Sequence, residues 1–225
     1  MDLDGTLLDN NDFEISVTQY IIAEISTKRG VDLTEARRLW EKDLFETRPL
    51  PEWYSYDFHC LRLGVGGLAR DAHEASVSKL SPLPDAVATV EVLARSGLRI
   101  AAVTDAEEWV ARFKLEAVGL ISYFEEIFSS AQFGAPKADP EYWSRLSAAR
   151  GMVDPEDWVI DNRKQNLNAA RRAGIAANLV YFEGAEHVTE ISSELSPHIV
   201  KVGDSLFLHA ISHTDLQELV LRNLQ

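Results

Sequence analysis

From about Leu83 onward, apolar helical patterns alternate with short runs rich in β-branched and aromatic residues, and this alternation limits the fold more than any other feature of the chain. Parallel strands need a crossover long enough to hold a helix, so strand, helix and strand in succession point to a parallel sheet. The pattern predicts helices over 84–96, 107–118, 140–150 and 165–173, and strands over 98–103, 126–129, 158–160, 176–182 and near 207–211. A last helix is expected to open at Thr214-Asp215-Leu216-Gln217, which has the form of a capping box.

Residues 13–80 read differently. They carry helical periodicity (Ile21, Ile22, Ile25; Leu39, Trp40, Leu44), a helix start at Asp32-Leu33-Thr34-Glu35, and no strand pattern. The expected organisation is an α/β core domain built from 1–12 and 81–225, with a small helical domain over 13–80 between its two parts. Gly64, Gly66 and Gly67 punctuate the exit, and Pro82 and Pro84 are the expected hinge. With 225 residues, 46% of them hydrophobic, the chain has enough apolar material for one or two globular domains. No apolar run reaches the ~18 residues of a membrane helix, and Asp2 and Asp4 stand where a secretory signal would be basic and then apolar. The one cysteine, Cys60, allows neither an intrachain disulfide nor a multi-cysteine zinc cage and reads as a small buried side chain. A cytoplasmic protein is expected. Its formal charge of −14 opposes binding to a nucleic-acid backbone or an anionic membrane surface. A phosphorylated substrate would need a metal ion and a few positioned donors to reverse the local field.

The chain opens Met1-Asp2-Leu3-Asp4-Gly5-Thr6-Leu7. Two carboxylates two residues apart around a Gly-Thr turn can share a divalent cation while one of them attacks an electrophile. Asp-x-Asp alone is usually a solvated turn, but the whole string Asp-x-Asp-Gly-Thr-Leu is far more specific. It resembles the haloacid dehalogenase superfamily of phosphohydrolases. Three further stretches resemble that family's motifs in the same order: Thr104 at the end of Leu98-Arg99-Ile100-Ala101-Ala102-Val103; Lys137 in Gly134-Ala135-Pro136-Lys137-Ala138-Asp139-Pro140; and Asp161 after Trp158-Val159-Ile160, followed by a helix ending at Ala173-Gly174. The resemblance implies a Rossmann-like parallel-sheet core with a small α-helical cap inserted after the first motif, closing over the active site. It implies Asp2 as nucleophile, Asp4 as general acid and base, and Mg²⁺ held by Asp2, Asp161 and the Asp4 carbonyl. Thr104 and Lys137 would bind the phosphoryl oxygens, with Asp105 beside them at the substrate. The expected activity is a Mg²⁺-dependent phosphatase acting on a small-molecule phosphate monoester through an aspartyl-phosphate. The alternatives are a non-catalytic or truncated relative, or a 2-haloacid dehalogenase-like hydrolase; Asp4 favours the phosphatase, because a halide leaves without an acid.

The sequence departs from the family's pattern at three places. Asp2 is expected at the carboxyl end of a central buried strand needing ~5 preceding residues, so either such residues precede Met1 or Asp2 is poorly positioned. Asn162 stands where the family has a second acid beside Asp161, and Asp105 where it usually has Asn. Val202-Gly203-Asp204-Ser205 resembles the fourth motif superficially but lacks the helix that should follow, so Asp204 reads as a turn residue. His209 and His213 are four apart, but a strand followed by a loop would separate them and leave no metal site. Trp40, Trp53, Tyr54 and Tyr56 are read as packing aromatics before substrate contacts.

Overall fold

The computed structural model describes residues 1–48, 50–150, 156–183, 199–202, 205–210 and 212–223. The chain divides into two compact units, one of Met1–Leu8 with Pro82–Gln225 and one of Asp9–Ser81. Short strands β1 (Leu8–Asp9) and β2 (Ser81–Pro82) lie where the chain passes between them.

The Asp9–Ser81 unit is helical. Helix α1 (Asn11–Arg29) buries Phe13, Val17, Ile21, Ile22 and Ile25, an i, i+4 stripe in which each large apolar side chain contributes roughly 2 kcal/mol. It stops at Gly30, whose φ of 65° takes up the left-handed cap that L side chains resist. Helix α2 (Leu33–Thr47) starts at Asp32, whose carboxylate accepts from the Glu35 amide at 2.8 Å, as the sequence predicts. Helices α3 (Tyr56–Arg62) and α4 (Leu68–Ser76) complete the unit. Trp40 stacks on Tyr56 and meets His59 edge-on, and Trp53 meets Tyr54 edge-on, so these aromatics pack on one another within the unit. Cys60 is fully buried.

The other unit is α/β. Its order is α5 (Ala86–Arg95), β3 (Ile100–Thr104), α6 (Glu108–Ala117), β4 (Phe124–Ser129), α7 (Ser130–Phe133), α8 (Pro140–Arg150), β5 (Trp158–Asp161), α9 (Lys164–Arg172), β6 (Asn178–Phe182), β7 (Ile199–Val202), β8 (Ser205–Ala210) and α10 (His213–Arg222). Strands β3 and β4 pair in parallel, as do β5 with β6 and β6 with β8. β7 runs antiparallel to β8 at the sheet edge, a strand that alternation did not predict. Tyr142, Trp143 and Leu146 of α8 share a core with Leu167, Ala169 and Ala170 of α9 and Leu179 of β6.

Between β3 and β5 lies the start of the chain. The Asp2 amide donates to Ile160 O at 2.9 Å and the Val103 amide to Met1 O at 2.9 Å, so this stretch is bonded on both sides as a central strand would be. Asp2 is thus firmly placed, contrary to one branch of the sequence expectation. Helix α10 also differs: its N-cap is Ser212, whose hydroxyl accepts from the Asp215 amide at 3.1 Å, and Thr214 lies inside the helix. A Ser two residues upstream can cap the same turn, and the structure uses it. Among the described residues, no helix is long and apolar enough to cross a membrane.

Candidate active site

Parallel pairing brings the carboxyl ends of β3 and β5 to one edge of the sheet, with the first loop between them, and ligand sites of open α/β sheets form at that edge. Thr104 ends β3, Asp161 ends β5, and Asp2 and Asp4 flank the turn from the chain start. Leu3 O accepts from the amides of Thr6, Leu7 and Leu8, and the Gly5 amide returns to Leu8 O at 2.9 Å. This tight wrap needs φ = 75° at Gly5, which glycine alone adopts without strain. The Thr6 hydroxyl donates to Asp2 Oδ2 at 2.9 Å, leaving Oδ1 toward the centre of the site.

Lys137 occupies that centre. Its Nζ donates to Asp2 Oδ1 at 2.5 Å, Asp161 Oδ2 at 2.8 Å and Val103 O at 3.0 Å. Its backbone is pinned as well: the amide donates to Asp105 Oδ1 at 2.8 Å, and the carbonyl accepts from Trp143 Nε1 at 2.7 Å. A buried lysine, and not the solvated surface residue that Lys137 would be in isolation, therefore joins the first, third and fourth motifs. Burial alone would weaken its hold on the proton, but the carboxylates of Asp161, Asp2 and Asp105 outweigh burial and raise its pKa above the ordinary lysine value. Asp161 moves up as well, because burial disfavours its charge more than Lys137 favours it. Asp105 shifts the same way for the same first reason. Three buried carboxylates around one ammonium leave an excess of negative charge, but burial comes first in raising Asp161 and Asp105.

Asp161 is further held by the Arg163 amide at 2.8 Å and by Asn166 Nδ2 at 3.1 Å to each oxygen. The Thr104 hydroxyl, buried, accepts from the Ala106 amide at 3.1 Å and keeps its proton to donate. Asp105 does not stand as a detached carboxylate at the site: it braces the Lys137 loop, and its carbonyl accepts from the Ser130 hydroxyl. Asp4 is the more open carboxylate, its side chain 28% exposed, and both its oxygens accept from Lys114 Nζ, at 2.9 and 3.0 Å.

Among the described residues no three His, Cys, Asp or Glu side chains gather as a metal cluster. The donor set nevertheless suits a hard cation. Asp2 and Asp161 converge on one point, the charge there is in excess, and the side-chain oxygens of Asn162 and Asn166 are buried without a hydrogen-bond partner. His213 is buried at the start of α10 against the Phe182 ring, and the side chain of His209 and the whole of Asp204 lie outside the described residues. Sequence reasoning missed Lys114, and it missed the hydrogen bond of Thr6 to Asp2. The available signal for Lys114 was its place among Val110, Ala111 and Leu115 on the buried face of α6.

A family profile described as haloacid dehalogenase-like hydrolase matches residues 1–180. The GMP/IMP nucleotidase YrfG of Escherichia coli (strain K12) is 28% identical over 176 residues, 78% of either chain. The phosphoserine phosphatase of Thermus thermophilus is 30% identical over 95 residues, 42% of this chain and 38% of that one. Among solved structures, a HAD phosphatase from Thermococcus onnurineus has the same fold, with a TM-score of 0.72 at 18% identity, covering 97% of this chain and 95% of that one.

Proposed function

The chain belongs to the haloacid dehalogenase-like hydrolases, enzymes of phosphate-ester hydrolysis among its relatives, and from that premise we propose a Mg²⁺-dependent phosphatase that hydrolyses a small-molecule phosphate monoester through a phosphoryl group carried on Asp2. The observation that carries the proposal is the Lys137 ammonium bonded to both Asp2 and Asp161 at the strand ends, with the partly exposed Asp4 two residues on. The relatives' names, a nucleotidase and a phosphoserine phosphatase, point to small phosphorylated molecules.

In this reading Asp2 attacks phosphorus in line, and the bond to the leaving oxygen breaks as Asp4 gives that oxygen a proton. Asp4 then takes a proton from water, whose oxygen attacks the same phosphorus, releasing phosphate and restoring Asp2. The Thr104 hydroxyl and the Lys137 ammonium hold the phosphoryl oxygens where charge spreads in the transition state. Asp105 acts through Lys137, whose amide it holds, and not on the phosphate. Mg²⁺ would be held by the Asp2 and Asp161 carboxylates and the Asp4 carbonyl, with Asn162 Oδ1 at hand, and it supplies positive charge against an anionic ester meeting an anionic nucleophile. The helical unit is assigned as the cap, and Cys60, a buried thiol, suits a reducing cytoplasm.

Phosphate release from a panel of small monoesters tests the proposal. Turnover should require Mg²⁺, stop with EDTA and return with added Mg²⁺; EDTA-insensitive release or none at all would overturn it.

A further inference from the structure

Helix α6 buries four residues on one face: Val110, Ala111, Lys114 and Leu115. Three are apolar, as a helix packed on a sheet requires. The fourth is a lysine only 1% exposed. An ammonium taken out of water costs several kcal/mol unless it is paired, and a leucine or methionine would fill the position without that cost. The pairing is specific. Nζ lies 2.9 Å from Asp4 Oδ1 and 3.0 Å from Oδ2, across 110 positions of sequence, so it fixes the plane of the carboxylate as well as offsetting its charge. The backbone of the turn is fixed by the hydrogen bonds to Leu3 O, so the Lys114 contacts act on the side chain of Asp4.

We propose that Lys114 is a positioning residue for proton transfer: it holds the Asp4 carboxylate at one orientation at the site, from a helix that otherwise only packs. The inference rests on the phosphatase reading, in which Asp4 moves the proton. Each Asp4 oxygen has two lone-pair directions, so engagement with Lys114 is compatible with a second contact to a leaving group or water. A carboxylate that loses these two contacts is less closely positioned, and small misplacements of a catalytic group cost large factors in rate.

The two half-reactions make the role testable. An aryl phosphate has a leaving group that departs without an acid, so phosphoryl transfer to Asp2 from it does not need Asp4, whereas the attack of water does. With saturating Mg²⁺, Lys114→Met should release the first equivalent of phenol within about twofold of the parent rate while steady-state turnover falls about tenfold or more. Lys114→Arg, which keeps the charge and two donors, should recover most of the loss. In an Asp4→Asn background, Lys114→Met should lower turnover no further, because the two act as one unit. A parallel fall of the first turnover and the steady state, or no fall in either, would overturn the proposal. Thermal unfolding gives a reading that needs no activity: Asp4→Asn removes the negative charge that faces the buried Lys114 ammonium and should lower Tm, and adding Lys114→Met should restore it. Additive losses would show that the pair is uncoupled and overturn the proposal. A parent without Mg²⁺-dependent turnover but with a coupled pair would instead overturn the phosphatase reading and leave the hold on Asp4 standing.

Discussion

Gly5 and Asn162 approach so closely that a Cβ on the glycine would stand 2.2 Å from Asn162 Nδ2. The contact locks the first loop against the loop after β5, the two segments that bring Asp2 and Asp161 together. It also fixes which end of Asn162 is used: the amide nitrogen packs on Gly5, while Oδ1 is buried without a partner.

Asn162→Asp should therefore act on the metal. The new carboxylate adds negative charge next to Asp161 in the chain, so without metal the variant should lose about 1–3 kcal/mol of stability through like-charge repulsion. With Mg²⁺ the balance reverses, since an added carboxylate strengthens an oxygen-ligand site for a hard cation. The half-saturating Mg²⁺ for turnover should fall several-fold, with rates converging at saturation. An unchanged midpoint would mean that residue 162 does not meet the metal.

Lys137→Met should be far more damaging. It removes three hydrogen bonds and leaves Asp2 and Asp161 buried without their counter-charge, a change that costs about 3–5 kcal/mol. Turnover should drop at least ~100-fold. Denaturant unfolding and kcat/KM measured on the same preparation check both numbers; a stable variant would show the ammonium to be dispensable.

His213 sets an acid limit to stability. The ring is buried against Phe182, and burial lowers its pKa from 6.5 to about 4, against the weaker opposing pull of the Thr6 backbone and the Asp85 carboxylate. A depressed folded-state pKa contributes stability above the unfolded value, and that contribution is lost as pH falls from 6.5 toward 4. Between pH 7 and 5 the loss from this residue is on the order of 2 kcal/mol. Thermal melts across that range should show His213→Leu with a smaller acid-side drop than the parent. Equal drops would assign the acid sensitivity elsewhere.

The strand-helix alternation beyond Leu83 and the periodicity of 13–80 were legible because both record which faces are buried. Asp2, Thr104, Lys137 and Asp161 were legible as a set because each sits beside a strand end or turn with its own local signature. Lys114 was not. Its place on the inward face with Val110, Ala111 and Leu115 marks it as buried, but that local pattern does not name the Asp4 carboxylate it meets 110 positions away. The antiparallel β7 escaped for a similar reason, since pairing direction at a sheet edge depends on tertiary contacts and not on the local run of residues. Ser212 took the cap from Thr214 because both hydroxyls suit the turn, and no local preference separates them.

A phosphoryl group carried on Asp2 would leave a chemical signature. Acid-quenching the enzyme during turnover of a phosphate monoester with Mg²⁺, reducing with borohydride and sequencing the peptides that carry Asp2, Asp4 and Asp161 by mass spectrometry reads this directly, because an acyl phosphate is reduced and a free carboxylate is not. Homoserine should appear at position 2 in the parent, and neither homoserine nor turnover in Asp2→Asn. Turnover with Asp2 unreduced, or homoserine at Asp4 or Asp161 instead, would contradict it.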